Sequence, residues 1–398
     1  MECTGASPAA TAHPRRIIPG FLSLDLCKEL EFIHRSCATA GYRTGVLSTT
    51  LAHLSATGCS HLLVPFVKIR EQLKEAVEEA FDCQFELFVE FTALISWCKG
   101  ASIGWHSDDN KPYLKQRDFT AVCYLNDQGK DFKGGTLRFQ DGEPSSIAPV
   151  AGDVSIYTAD YRNVHCVDEI TEGERLTLTL WFTRDSASDE DPKLLNFLSQ
   201  ALERERESPC HPLPASDNMY WFSYDGLGFD LRCARAVQLG YTFYNSACSE
   251  EIPEDPFEIL SKPLFIGRLD EVFGKEFVNS MHALQVMQFY HWKASEIVKV
   301  RGTVDHAKSS KQKFISRNSS YTRLDLPCDV ELAESILQCN SRVEMENLFS
   351  WDDLALAVEN WESYTSELWR QLFAFMPNWL SYQSIYYIDR SEINKNDR

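Results

Sequence analysis

The stretch Gly173-Glu-Arg-Leu-Thr-Leu-Thr-Leu-Trp-Phe-Thr183 decides the fold class. Leu176, Leu178, Leu180 and Phe182 alternate with Thr177, Thr179, Trp181 and Thr183. A two-residue period puts the first set on one face of a strand and the second on the other. Working back from this strand, short runs rich in Phe, Val, Ile, Thr and Tyr are separated by Gly, Asp, Asn and Pro. They predict strands near 85–97, 102–108, 118–126, 135–140, 145–149, 153–158, 163–167 and 174–183. Eight short strands at this spacing predict a sandwich or jelly roll.

Upstream the period is helical. Pro19-Gly20 makes a turn, and Ser23 is a good N-cap for a helix to about Thr39, with Leu26, Leu30 and Ile33 on one face. A second helix is predicted from Val64 to Phe81, with Lys74 and Glu78 paired on its outer side. Residues 1–16 are rich in small residues and are expected to form a disordered tail. Downstream, 186–192 breaks the strand pattern and a helix of about a dozen residues follows. The three prolines between Glu207 and Asp217 mark a domain boundary. The expected organisation is therefore α+β. A domain at 17–207 has its core at about 85–185 and flanking N-terminal helices, and a second, mixed α/β domain of undefined fold occupies 208–398. In the latter, 218–245 is expected to include strands, 249–258 and 304–320 to be loops, and 270–298 and 352–374 to be helical. Leu354, Val358, Trp361, Leu368 and Leu372 form a helical stripe that suits core packing.

Composition narrows the function classes. Hydrophobic residues at 44% and charged residues at 24% are those of an ordinary globular protein that can bury a core. A net charge of −19 disfavours phosphate backbones and anionic lipid, so neither nucleic acid nor a membrane is an expected partner. The 13 cysteines include no C-x-x-C pair, which argues against a zinc ribbon or thioredoxin-type site. MECTGASPAATAHPRR lacks an apolar segment and carries its arginines late, so a secretory signal is not expected. No run of about 18 apolar residues is present to span a membrane. The thiols are expected to be reduced, in the cytoplasm or nucleus.

The chemistry-bearing pattern begins at His106-Ser-Asp108. In an extended strand, residues two apart share a face, so an imidazole and a carboxylate converge on one point. A second imidazole would complete the two-His, one-carboxylate set that holds non-haem iron(II) with positions left open. Among ten histidines a chance H-x-D is roughly an even bet, so the motif alone is weak. It gains weight because it is the single H-x-D of the chain and lies among strands. His165 follows on the penultimate strand, and Arg175 lies ten residues further, in the last. Iron(II) with one carboxylate and two neutral imidazoles suits chelation by a 2-oxo acid, whose far carboxylate needs a fixed cation. The two parallel N–H donors of a guanidinium meet that need. Arg175 in isolation would be read as a strand-edge ion pair.

His106-Ser-Asp108, RDFTAVCYLND at 117–127, DFKGGTLRF at 131–139, VAGDVSIY at 150–157, His165 and GERLTLTLWFT at 173–183 together resemble the prolyl/lysyl hydroxylase type of iron(II)/2-oxoglutarate oxygenase. The first long block and the closing LWFT are most similar to the prolyl 3-hydroxylase catalytic domain. The likeness covers roughly 85–185, about a quarter of the chain. It implies a double-stranded β-helix in which His106, Asp108 and His165 ligate iron and Arg175 grips 2-oxoglutarate. It also implies O2 as oxidant, succinate and CO2 as co-products, L-ascorbate to keep iron reduced, and hydroxylation of a proline or lysine in a protein or peptide. Prolyl 4-hydroxylases carry tyrosines where this chain has Trp97 and Ile103, so the second anchor of the oxo acid is unassigned. Thr177, on the Arg175 face, is a candidate.

Two other functions compete with a protein hydroxylase: a jelly-roll scaffold that binds a partner without catalysis, and an oxygenase of small molecules. The complete triad argues against the first. The size of the second half fits a protein substrate better than a small one. Gly134-Gly135 and Gly152 are read as turn glycines. Trp105 and Cys166, each beside a ligand, should face away from it, with Trp105 in the core.

Overall fold

The computed structural model describes residues 12–205 apart from Thr44, several residues within 282–293, residues 359–374, and Trp379. In chain order the strands are β1 (Arg15–Ile18), β2 (Thr39–Ala40), β3 (Val46–Thr50), β4 (Phe88–Cys98), β5 (Ile103–His106), β6 (Arg117–Tyr124), β7 (Phe132–Gly134), β8 (Leu137–Phe139), β9 (Ser146–Ile147), β10 (Val154–Thr158), β11 (His165–Val167) and β12 (Ile170–Thr183). The helices are α1 (Leu24–Cys37), α2 (Leu51–Ala56), α3 (Val64–Ala80) and α4 (Asp191–Glu205).

Two antiparallel sheets result. The larger has the order β1-β10-β6-β12-β4-β3-β2, with β7 also on β12, and the smaller has the order β5-β11-β8-β9. From β4 onward the chain alternates between them: β4 large, β5 small, β6 large, β8 and β9 small, β10 large, β11 small, β12 large. That winding is the double-stranded β-helix, and all eight expected strands take part. Ser23 caps α1 as its residue type predicts, its Oγ accepting from the Leu26 N–H at 3.2 Å.

Strand parity separates the two faces of the large sheet. Leu94, Ala121, Cys123, Val154, Ile156, Leu176, Leu178, Leu180 and Phe182 point to the helices and share a core with Leu30, Ile33, Phe66 and Leu73. The opposite parity carries Trp97, Thr120, Val122, Tyr124, Tyr157, Arg175 and Thr177 toward the small sheet. The leucines of the opening motif therefore anchor the helical layer, and its Arg and Thr residues line the space between the sheets. Arg70 of α3 locks α4 in place by pairing with Asp191 at 2.6 Å and Glu190 at 3.3 Å.

Some expectations are corrected. Arg15 and Arg16 are not part of a tail; they open β1, which pairs with β10 at the sheet edge. β2, β3 and β7 are additional to the expected strands, and α2 to the expected helices. β5 stops at His106, so Asp108 lies just past the strand rather than within it. Trp105 is 55% exposed, not core.

Part of the second half is visible. Among the described residues, Phe289, Tyr290, Trp361, Leu368, Leu372 and Trp379 belong to the same core as α1 and α3. Trp361, Leu368 and Leu372 belong to the expected helical stripe, whereas Leu354 and Val358 lie outside the described residues. The boundary at 207–217 and the strands and loops expected at 218–258 and 304–320 also lie outside them. No helix of the described residues is long and apolar enough to cross a membrane.

Candidate metal centre

The register of the small sheet sets His165 on β11 directly opposite His106 at the end of β5. Their rings lie 4.3 Å apart between centroids. Each ring is oriented by its own backbone: His106 Nδ1 donates to Gly104 O at 2.8 Å, and His165 Nδ1 donates to Asn163 O at 2.9 Å. A proton held on Nδ1 leaves the Nε2 lone pair free, the tautomer a metal requires. Both lone pairs meet Asp108, whose Oδ1 is 3.8 Å from His106 Nε2 and 3.8 Å from His165 Nε2. Among the described residues these three form the one His/Cys/Asp/Glu group whose ligand atoms lie within 4.8 Å of one another.

Asp108 is held by residues that sequence inspection did not single out. Thr120 of β6 donates its hydroxyl to Oδ2 at 2.6 Å, which leaves Oδ1 for the shared point. Arg117 Nη1 donates to the Asp108 carbonyl at 3.3 Å. That guanidinium is itself fixed, 3.6 Å above the Trp181 ring and paired with Glu90 at 3.2 Å. Burial works against ionisation of Asp108, but His165, His106, the Thr120 hydroxyl and Arg117 outweigh it and hold the carboxyl below its ordinary range. Burial, and then the neighbouring His165, lowers the His106 pKa, which favours the neutral imidazole. A divalent cation binds the ionised carboxylate and the neutral form of each imidazole, displacing any proton they share.

Arg175 occupies a separate, deeper place. It is 3% exposed, its Nε has no hydrogen-bond partner, and among the described residues no carboxylate pairs with it. Burial pulls its pKa down, opposed by Tyr124, Tyr157 and Tyr42. A guanidinium in this state still carries its charge. An unpaired buried cation is costly unless an anion reaches it. Asn126 clamps the backbone on either side, donating to Glu174 O at 2.7 Å and accepting from the Leu176 N–H at 2.9 Å. Gly135, at φ +68°, allows the close approach: a Cβ there would lie 3.0 Å from Arg175 Cδ and 2.5 Å from Ile170 Cδ1. Gly135 is thus packed against Arg175 as well as being a turn residue. Thr177 uses its hydroxyl proton on Ile95 O at 3.3 Å. Tyr124 is fully buried with its ring 5.5 Å from the guanidinium; its hydroxyl hydrogen-bonds Arg175 and lies 3.2 Å from Ser155 Oγ.

The donor set, and a buried guanidinium with no carboxylate partner among the described residues, fit a divalent iron together with a dicarboxylate that chelates it. Residues 93–183 match the family model of the 2OG-Fe(II) oxygenase superfamily. This segment is similar to the oxygenase domains of that superfamily. The domain is similar to rat (Rattus norvegicus) 2-oxoglutarate and iron-dependent oxygenase domain-containing protein 3, 35% identical over 92 residues, 23% of this chain and 29% of that protein. It is also similar to chicken (Gallus gallus) prolyl 3-hydroxylase 1, 24% identical over 230 residues, 46% of this chain and 31% of the relative. The chain therefore spans about a third or less of these relatives' length. A solved Pseudomonas putida prolyl-4-hydroxylase aligns with 45% of this chain and 100% of its own, at 21% identity and a TM-score of 0.36.

Proposed function

We propose that the protein is an iron(II)- and 2-oxoglutarate-dependent dioxygenase that hydroxylates a protein side chain, proline or lysine. In this reading residues 17–207 form the catalytic unit. His106 Nε2, Asp108 Oδ1 and His165 Nε2 hold the iron, and Arg175 binds the far carboxylate of 2-oxoglutarate. The observation that carries it is the pairing of two preset imidazole lone pairs and an ionised carboxylate with a buried cation that has no counter-ion among the described residues. The bound iron and oxo acid supply the oxidising chemistry, with O2 consumed, succinate and CO2 released, and ascorbate serving to keep the metal reduced.

The chain's own residues bind, orient and exclude. Gly104 O and Asn163 O hold the two imidazoles in one tautomer, and Thr120 restricts Asp108 to one free oxygen. The sheet wall of Val122, Tyr124, Tyr157 and Leu137 keeps the Arg175 end dry, which strengthens a charge-assisted contact there. His106 is the more open ligand, with an 18% exposed side chain against 5% for His165, so the substrate approaches from the His106 side. The match to a prolyl 3-hydroxylase supports a peptidyl substrate over a small molecule.

Anaerobic titration of iron(II) and 2-oxoglutarate into the full chain tests this. A visible metal-to-ligand charge-transfer band is expected in the wild type and is expected to vanish in His165→Ala. A folded wild type that shows no band would point instead to the non-catalytic scaffold.

A further inference from the structure

Two carboxylates share one guanidinium where α3, β4 and α4 meet. Arg70 Nη1 pairs with Asp191 Oδ1 at 2.6 Å, and Nη2 pairs with Glu190 Oε2 at 3.3 Å. Its Nε donates to Thr92 Oγ1 of β4 at 3.0 Å. Arg70, Glu190 and Asp191 are all buried, so water does little to screen their charges. The second half of the chain reaches the same cluster. Trp379 Nε1 donates to Asp191 Oδ2 at 3.2 Å, and its ring centre lies 5.8 Å from the guanidinium.

The charges of the cluster do not balance. Against one cation stand Glu190, Asp191 and the half-buried Asp189, whose Oδ1 accepts from the Asp191 N–H at 3.1 Å. The N-terminus of α4 adds the equivalent of about half a positive charge, which still leaves more than one negative charge in excess. The other charged groups around the cluster do not close that gap. On α3, Glu71 adds to the excess, and Lys74 is shared with Glu86 at 3.5 Å. On β4, Glu90 is turned to Arg117 at 3.2 Å. A buried carboxylate without compensation is costly and escapes the cost by taking up a proton. Asp191 has the shorter contact with Arg70 and the Trp379 donor as well, so the proton falls to Glu190. Burial raises the Glu190 pKa from 4.5 to about 7 against the pull of Arg70. Burial, with Asp191 beside it, likewise raises Asp189 from 3.8 to about 6.

We propose that this cluster is a proton-operated clamp between the two halves of the chain: closed, it carries a proton on Glu190, and loss of that proton loosens the contact between Asp191 and Trp379. An ionised Glu190 competes with Asp191 for Arg70, so Asp191 is no longer held with its second oxygen toward the indole. The closed form binds the proton more tightly than the open one. Its advantage is therefore complete below about pH 4.5 and is lost as pH rises to about 7. The clamp uses no metal and stands or falls independently of the iron assignment.

The test follows exchange of the Trp379 indole N–H by NMR in the full chain, with the signal assigned by its absence from Trp379→Phe. Corrected for the intrinsic pH dependence of exchange, its protection should fall about tenfold from pH 6 to pH 8 in the wild type. Glu190→Gln keeps the shape of the side chain and cannot ionise, so its protection should stay level over the same range. Infrared difference spectra between the two pH values should show a protonated carboxyl band in the wild type, diminished by one carboxyl in Glu190→Gln. Level protection in the wild type, an equal fall in Glu190→Gln, or an undiminished carboxyl band in that variant overturns the clamp. If Glu190→Gln does not fold, the wild type decides: absence of either the carboxyl band or the tenfold fall overturns it.

Discussion

Asp108 presents two oxygens to its surroundings, and one of them is already engaged by Thr120 at 2.6 Å. Removing that hydroxyl while keeping the shape of the side chain frees the carboxylate to rotate, so the Oδ1 position between the two imidazoles is no longer preset. Thr120→Val should therefore weaken iron(II) binding about tenfold, and Thr120→Ser should restore most of it, as read by competition with a coloured chelator. The other end of the site is held by a side chain in the same way. Asn126 bonds the backbone on both sides of Arg175, and Asn126→Ala removes both contacts from a 4% exposed position. A buried backbone group left without a partner costs about 1–3 kcal/mol. Beyond that loss of stability, a raised Kd for 2-oxoglutarate with unchanged iron affinity is expected by calorimetry; equal losses in both would place Asn126 outside the oxo-acid end. His106, Asp108, His165 and Arg175 could be singled out in the sequence as candidates because their residue types and order carry a recognisable chemistry. Thr120, Arg117, Asn126 and Tyr157 could not. A threonine or tyrosine in a strand is an ordinary strand former, and only the cross-strand register shows what it reaches.

At the scale of elements, alternation revealed the strands that have one apolar face against helices. β12 is the extreme case, with Leu176 to Phe182 fully buried on one parity. It could not reveal β1, β2, β3 and β7. These run from two to five residues and are defined by their pairing, β1 on β10, β2 on β3, β3 on β4 and β7 on β12, which no local pattern states. Nor could it divide the strands between two sheets, since that depends on pairings far apart in sequence. The helical layer holds a feature with a measurable consequence. His61, between α2 and α3, is 3% exposed, its ring nitrogens have no hydrogen-bond partner, and it lies 5.1 Å from the Trp369 ring. Burial depresses its pKa from 6.5 to about 3. Below about pH 6.5 the unfolded chain binds a proton at this residue that the folded chain refuses until about pH 3. Stability is therefore lost as pH falls, by about 1.4 kcal/mol per pH unit across that window. His61→Leu should flatten the slope of unfolding free energy between pH 4 and 6 by about one proton relative to wild type. Parallel slopes in the two proteins would show that His61 is hydrated or charged when folded.

For the molecule as a whole, the decisive contact is between the two halves of the chain. Phe32 of α1 stacks on Trp292 at 5.2 Å and 14°, and meets Phe289 and Tyr364 edge-on at 5.9 and 6.0 Å. Tyr364 also donates to Glu29 Oε1 at 2.8 Å, and Trp379 Nε1 to Asp191 Oδ2 at 3.2 Å. These described residues of the second half pack on the helical side of the large sheet, and the candidate site residues occupy its other side. They therefore support the sheet that carries Thr120, Tyr157 and Arg175. A sequence boundary placed at 207–217 divides the chain by composition, yet the aromatic residues beyond it complete a core begun before it. Truncating a buried Phe to Ala costs about 3–5 kcal/mol when its packing partners are present. In the full chain Phe32→Ala should show a loss of that size in urea unfolding. In a chain ending at residue 207 the partners Phe289, Trp292 and Tyr364 are gone, so the same substitution should cost less than half as much. The truncated chain should itself be less stable and prone to associate through the uncovered α1 face. Equal costs in the two backgrounds would mean that the halves fold as independent domains and that the Phe32 cluster contributes nothing to the stability of the oxygenase unit.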